Sequence, residues 1–141
     1  MSEPDISFAS LDSDSGERFL GLRRLLGVRS FGLNLITLHP GQRGRIHAHE
    51  RQEEVYIVLE GELALLVEGD ERAVGRGEAV RVGAIVRRQL LNRGPGHLVL
   101  LAIGGAGEHQ GRDGHAWTSW DEGGEGRRPS EVPLPEDLPL D

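Results

Sequence analysis

Apolar residues in this chain come in short alternating runs separated by glycine-rich turns, and that rhythm dominates from residue 31 onward. Residues 31–39 alternate as a strand does, with successive side chains on opposite faces, and Pro40-Gly41 then turns the chain. Residues 46–49 and 54–59 are the next two predicted strands, and Glu60-Gly61 leads into a strand over 62–67. Glu68-Gly69-Asp70-Glu71 is a hairpin signal with 72–74 as the return strand, and residues 80–82, 87–91 and 98–103 complete the set. Short strands with turn signals between them predict an all-β sandwich or barrel.

The flanks read differently. Residues 1–17 are polar and turn-rich, an acidic arm ahead of one domain over residues 18–116. Within residues 17–26, Phe19, Leu20, Leu22, Leu25 and Leu26 surround two arginines, a pattern equally compatible with a short amphipathic helix and an edge strand. After Gly104 the alternation dissolves into Gly104-Gly105-Ala106-Gly107 and a Trp117/Trp120 pair. Residues 117–141 form a tail, with four prolines among the last thirteen residues, that cannot build a core of its own. It is expected to be disordered or strapped across a neighbour.

Composition narrows the chemistry. A length of 141 residues with 37% apolar residues suits one core of Leu, Val and Ile. The formal net charge of -7 belongs to the ends, since residues 18–120 hold eleven acids against fourteen arginines. With no basic stripe and 4% aromatic residues, nothing marks a nucleic-acid binder. There is no cysteine, which excludes disulfides and thiolates, and no lysine, which excludes Schiff-base chemistry. No signal-like start and no apolar stretch of membrane-spanning length is present, so a cytoplasmic location is the expectation.

Candidate chemistry centres on His47-Ala48-His49, with Gly41 before it and Glu54 and Gly61 after it, in the pattern G-x5-H-x-H-x4-E-x6-G. Strand alternation puts both imidazoles on one face, and a hairpin can fold the Glu54 carboxylate back towards them. Two imidazole nitrogens and one carboxylate oxygen form a facial triad for Fe(II), Mn(II) or Zn(II), with open positions left for water or substrate. An isolated H-x-H is more often a pair of surface histidines; five residues at fixed spacing argue for ligands. Tyr56 and Val58 share parity with Glu54, and Arg45 shares parity with the two histidines, so Arg45 and Tyr56 are candidates to line the same cavity. His39, His97, His109 and His115 read as surface or loop histidines, with His97 as a replacement ligand if one were needed.

Residues Gly41 to Gly61 resemble, position for position, the first motif of the cupin superfamily. The resemblance implies a double-stranded β-helix, a jelly-roll barrel, with one divalent metal ion (Fe, Mn, Ni or Zn) on His47, His49 and Glu54. A second motif, G-x5-P-x-G-x2-H-x3-N, is matched at Gly77 and Asn92, but Gly83, Ile85 and Arg88 replace its proline, second glycine and histidine. Arg88 thus stands where the family has a further metal ligand, and a guanidinium has no lone pair to donate. The family position turns Arg88 inward and Arg87 outward. Arg88 is then a candidate to hold a small carboxylate ligand two-pronged, leaning away from the metal or meeting an anion between them. Its alternatives are an arginine snorkelling at the barrel mouth, or one paired with Glu54 in a metal-free pocket.

Two classes of function follow from the resemblance. One is a metal-dependent enzyme of oxygenase, isomerase or decarboxylase type acting on a small acidic molecule, dioxygenase-like chemistry being the leading enzymatic expectation. The other is a non-catalytic cupin that binds a small molecule or sugar acid at a vestigial site. Small cupins commonly form homodimers, and the same is expected here.

Overall fold

Alternation is realised in the computed structural model, which describes residues 4–105 and 113–139, as two five-stranded antiparallel sheets facing each other. One sheet has the order β1-β2-β9-β4-β7, built from Phe19–Gly21, Gly32–Leu38, Leu98–Gly105, Glu53–Glu60 and Ala79–Val82. The other has the order β10-β3-β8-β5-β6, from Gly114–Trp117, Ile46–His49, Arg88–Leu91, Glu62–Val67 and Asp70–Gly75. Apart from β1–β2 and β5–β6, which pair within a sheet, successive strands cross between the sheets, as a double-stranded β-helix requires. Among the described residues no helix is long and apolar enough to cross a membrane.

Inward-facing residues of both sheets make the main core. Ile36 and Leu38 of β2, Tyr56 and Val58 of β4, Leu63 and Leu65 of β5, Leu90 of β8, and Leu98 and Leu100 of β9 are all buried in it. Burying each such aliphatic side chain contributes roughly 1.5–3 kcal/mol, so this core is the stable foundation. The opposite face of the first sheet is covered by helix α1, Leu22–Leu26, whose Leu22 is buried against Leu35 and Val99. The segment that suited either a helix or an edge strand is both in succession: β1 pairs with β2 over Phe19–Gly21, and the chain then coils into α1. A left-handed Gly27 ends the helix, its N–H donating to the carbonyl of Arg23.

β10 has no counterpart in the alternation of the sequence. It runs beside β3, and Trp117 with Trp120 packs on Ile46 and Ala48, the outward side of the strand that carries the two histidines. From there the C-terminal segment stays on the barrel. Val132 is buried, the Arg45 Nε donates to its carbonyl at 2.6 Å, and the Leu138 N–H donates to the carbonyl of Gly41 at 2.7 Å. The segment is a strap across its own sheet. Arg87 faces outward beneath it, 4.5 Å from the Trp117 ring centre, with its guanidinium on the carbonyls of Ser119, Trp120 and Glu122.

Register sets up the functional end. His47 lies opposite Arg88, His49 opposite Gly114, and Glu54 opposite Gly104. The turn between β4 and β5 depends on Gly61, whose φ is +78° and where an added Cβ would fall 2.3 Å from the carbonyl oxygen of His97. Gly69, in the β5–β6 turn, has φ +89° but open space around it. Gly69→Ala should therefore cost only the left-handed penalty of about 1–2 kcal/mol. Gly61→Ala adds a backbone clash and should cost about 3 kcal/mol or more. Urea unfolding of the two variants checks this, and equal losses would refute the role assigned to the close approach at Gly61.

Candidate functional site

β3 presents His47 and His49 inward, and β4 brings Glu54 and Tyr56 towards them from the facing sheet. The Nε2 atoms of both histidines stand 3.3 Å from Glu54 Oε1. Donor atoms of His47, His49 and Glu54 all lie within 4.8 Å of one another. Glycine makes room for Glu54: a Cβ on Gly104 would sit 3.3 Å from Glu54 Cγ.

The far side of each imidazole is also engaged. His49 Nδ1 is 2.9 Å from Asp113 Oδ1, and His47 Nδ1 is 3.2 Å from the carbonyl oxygen of Arg45. A neutral imidazole has one proton for two nitrogens. Each ring here faces an oxygen acceptor at both nitrogens, so a lone pair confronts an oxygen unless a second proton or a metal ion intervenes. At His49 the consequence is explicit: Nε2 is buried and has no hydrogen-bond partner. An Asp113 carboxylate on Nδ1 leaves Nε2 as the donor atom, the carboxylate–histidine arrangement that orients metal ligands. By these measures the three side chains fit a divalent cation.

Asp113 is itself tightly held. It accepts from the backbone N–H groups of Arg51 and Gln52 at 3.0 and 2.9 Å and from Gln52 Nε2 at 2.6 Å. Burial alone would raise its pKa, but these N–H groups and His49 outweigh that and keep it below the ordinary aspartate value. Burial likewise opposes ionisation of Glu54, yet His47, which is hydrogen-bonded to it, the adjacent His49 and the Arg88 guanidinium carry it well below the usual carboxylate range. His49 moves the other way, because the Glu54 and Asp113 carboxylates overcome the effect of burial and raise it. Tyr56, pushed well up by burial and by the Glu54 charge, stays a neutral donor.

Arg88 is fully buried, and all its donor nitrogens are occupied. Its Nη2 donates to Glu54 Oε1 at 2.5 Å, its Nε to the Tyr56 hydroxyl at 3.2 Å, and its Nη1 to the carbonyls of Gly83, Ala84 and Val86. The Tyr56 hydroxyl in turn donates to the same Glu54 oxygen at 2.7 Å. The anion that Arg88 meets is therefore the protein's own carboxylate. Arg45 is not brought to this group: its guanidinium points to Val132 beneath the C-terminal strap. β3 begins at Ile46, and the alternation that would have turned Arg45 inward stops there. His39 and His97 stack on each other at 4.3 Å, and His115 pairs with Glu50, both away from the cluster; His109 lies outside the described residues.

A cavity of about 750 Å³ opens beside the cluster at the barrel mouth, with His49, Glu54, Asp113, Asn34, Arg23 and Arg128 in its wall. Asp113, Arg23 and Arg128 carry no signal in the motif. Asp113 follows the glycine-rich stretch where alternation fails, and the two arginines lie in the flanks, joined to the mouth only by folding.

The cupin domain family model matches residues 34–104, which hold the histidine pair, Glu54 and Arg88. Among solved structures, the chain is similar to one described as a candidate sugar phosphate isomerase from Acidithiobacillus ferrooxidans. That match has 29% identity and a TM-score of 0.59, covering 67% of this chain and 60% of the other. It is also similar to a cupin-superfamily sugar phosphate isomerase from Silicibacter pomeroyi, at 26% identity and TM-score 0.62, covering 72% and 65%. This chain thus spans less than two thirds of either isomerase. A cupin protein from Bacteroides fragilis, at 19% identity and TM-score 0.65 with 77% and 92% covered, shares the fold. Comparison with curated proteins finds no match. With a family match over half its length, two facing antiparallel sheets and the histidine pair on β3, the chain belongs to the cupin family.

Proposed function

We propose that the protein is a divalent-metal-dependent cupin enzyme of the isomerase type, acting on a small acidic molecule in the cavity at the barrel mouth. One observation carries the reading: two imidazole Nε2 atoms and a carboxylate oxygen converge at 3.3 Å, with the buried His49 Nε2 lacking any hydrogen bond. The isomerase direction is supported by the two similar structures described as sugar phosphate isomerases. When bound, a divalent ion would supply Lewis acidity to a substrate oxygen. The chain's residues prepare the place for it. Asp113 fixes the His49 tautomer, the Arg45 carbonyl orients His47, and Arg88 with Tyr56 keeps the Glu54 carboxylate ionised and still. We assign Arg88 to Glu54 rather than to the substrate, because it is fully buried and each of its three nitrogens already has a partner within the protein.

A second reading, a non-catalytic small-molecule cupin, is favoured by the same Arg88. Glu54 Oε1 already accepts from Arg88 and Tyr56, which weakens it as a metal donor. Metal occupancy separates the two. Protein purified without chelator should carry close to one Mn, Fe, Ni or Zn per chain, and His47→Ala should lose it. Asp113→Asn should weaken metal affinity about 10- to 100-fold, as loss of an orienting carboxylate does elsewhere. Elemental analysis and metal titration give both results; full metal content in His47→Ala would remove the assignment.

Arg88→Ala should destabilise the fold by about 3–5 kcal/mol by leaving Glu54 uncompensated in the barrel. A loss in thermal or urea unfolding no greater than that of an exposed arginine substitution would show the ion pair to be dispensable. We further propose a cytoplasmic homodimer. The exposed Ile6, Phe8 and Leu11 of the arm, with Phe19 on the edge strand β1, are apolar surface that a second copy would cover. Sedimentation at micromolar concentration should give twice the chain mass of 15.4 kDa, and a single-chain mass would exclude the dimer.

A further inference from the structure

We propose that Arg23 and Arg128 form an anion subsite in the cavity at the barrel mouth, and that it takes the phosphate group of a small phosphorylated ligand. This rests on the reading above in one respect, that the ligand's other end reaches the His47, His49 and Glu54 cluster.

The two arginines come from opposite ends of the chain and share one cavity wall. Arg23 sits on α1, which is anchored by the buried Leu22 and closed by Gly27, so its backbone is well placed. Arg23 Nε is buried without a hydrogen-bond partner. A buried donor left unpaired is costly, and it marks a place where a partner is expected. Arg128 precedes the short 3-10 turn Pro129–Glu131, in a segment tied to β10 by two backbone bonds between Ala116 and Arg127 at 2.8 and 3.0 Å. Pro129 packs over Gly114, opposite His49, where a Cβ would come within 3.3 Å of its ring. Arg128 is thereby held at the same mouth as the histidine cluster.

Charge balance selects the ligand. The acids in the cavity wall are Glu54 and Asp113, and both are committed, Glu54 to Arg88 and the histidines, Asp113 to His49, Gln52 and two backbone N–H groups. Among the described residues neither Arg23 nor Arg128 has an acidic side chain at ion-pair distance. Both side chains line one cavity and neither has an acidic partner, a charge balance that an entering anion improves. A phosphate monoester, with a charge of about −1.5 to −2 near neutral pH and three acceptor oxygens, matches two planar forks, whereas one fork suffices for a carboxylate. Asn34 and Ser130, also in the wall, offer polar groups for ligand hydroxyls. Both arginines fall outside the family match at 34–104, so this specificity belongs to the flanks and not to the shared motif.

Calorimetric titration of inorganic phosphate and of acetate, into metal-free and Mn(II)-loaded protein, tests the subsite. Wild type should bind phosphate more tightly than acetate in both forms. Arg23→Gln and Arg128→Gln should each weaken phosphate binding by about 10- to 100-fold, the effect of losing a charged hydrogen bond. Arg24→Gln, exposed on the same helix, should leave it unchanged, and all variants should take up Mn(II) as wild type does. If Arg23→Gln disturbs α1, Arg128→Gln on the exposed segment decides alone. Phosphate binding equal in wild type and Arg128→Gln, or no tighter than acetate, overturns the subsite. Arg-dependent phosphate binding in a protein that takes up no metal would instead overturn the metal reading and leave the subsite standing.

Discussion

Glu54 sits where a carboxylate cannot remain ionised without a cation, because moving it from water into the barrel removes its hydration. Arg88 supplies that cation from the facing sheet. The pair spans the two layers of the barrel, since Glu54 belongs to β4 and Arg88 to β8, and the Tyr56 hydroxyl closes the triangle between them. The same guanidinium gathers three carbonyls of the turn before β8. Turn, strand and carboxylate are thus locked in one network. Glu54 is thereby held where both histidine Nε2 atoms approach its Oε1 at 3.3 Å.

The replacement of a metal-ligating histidine by Arg88 then reads as an exchange of roles. A fourth ligand would strengthen metal binding directly. An arginine cannot ligate, but it pairs with Glu54 and holds it in place, so the three side chains that could hold a metal ion are ordered without one. Ordering comes at the expense of donor strength, because the oxygen nearest both histidines is shared with two hydrogen-bond donors.

Core and site differ in chemistry and meet at Tyr56, whose ring is buried in the core and whose hydroxyl joins Glu54 and Arg88. Leucine and valine dominate the core between the sheets, where packing contributes most of the stability. The mouth is polar, glycine-lined opposite the ligands, and bordered by segments from outside the family motif. The barrel carries the shared donors, while α1 and the C-terminal strap add the cations that make this cavity different from a bare metal pocket.

Local periodicity was enough for much of this. The strands from β2 to β9 and the inward parity of His47, His49, Glu54 and Tyr56 follow from period-two alternation and from glycine at the turns, which are properties of a few adjacent residues, whereas the inward Arg88 and the outward Arg87 were implied by the resemblance to the second cupin motif. Residues 17–26 stayed ambiguous because a three-residue strand and a five-residue helix are each too short to display a period. β10 escaped because Gly-His-Ala-Trp has no alternation and exists as a strand only by pairing with β3. Arg45 illustrates the limit of parity: its backbone lies just outside β3, and Val132, far along the chain, captures the side chain. Asp113, Arg23 and Arg128 share that reason. Each reaches the mouth through contacts between segments remote in sequence, and no local pattern encodes which distant residue a fold will bring there.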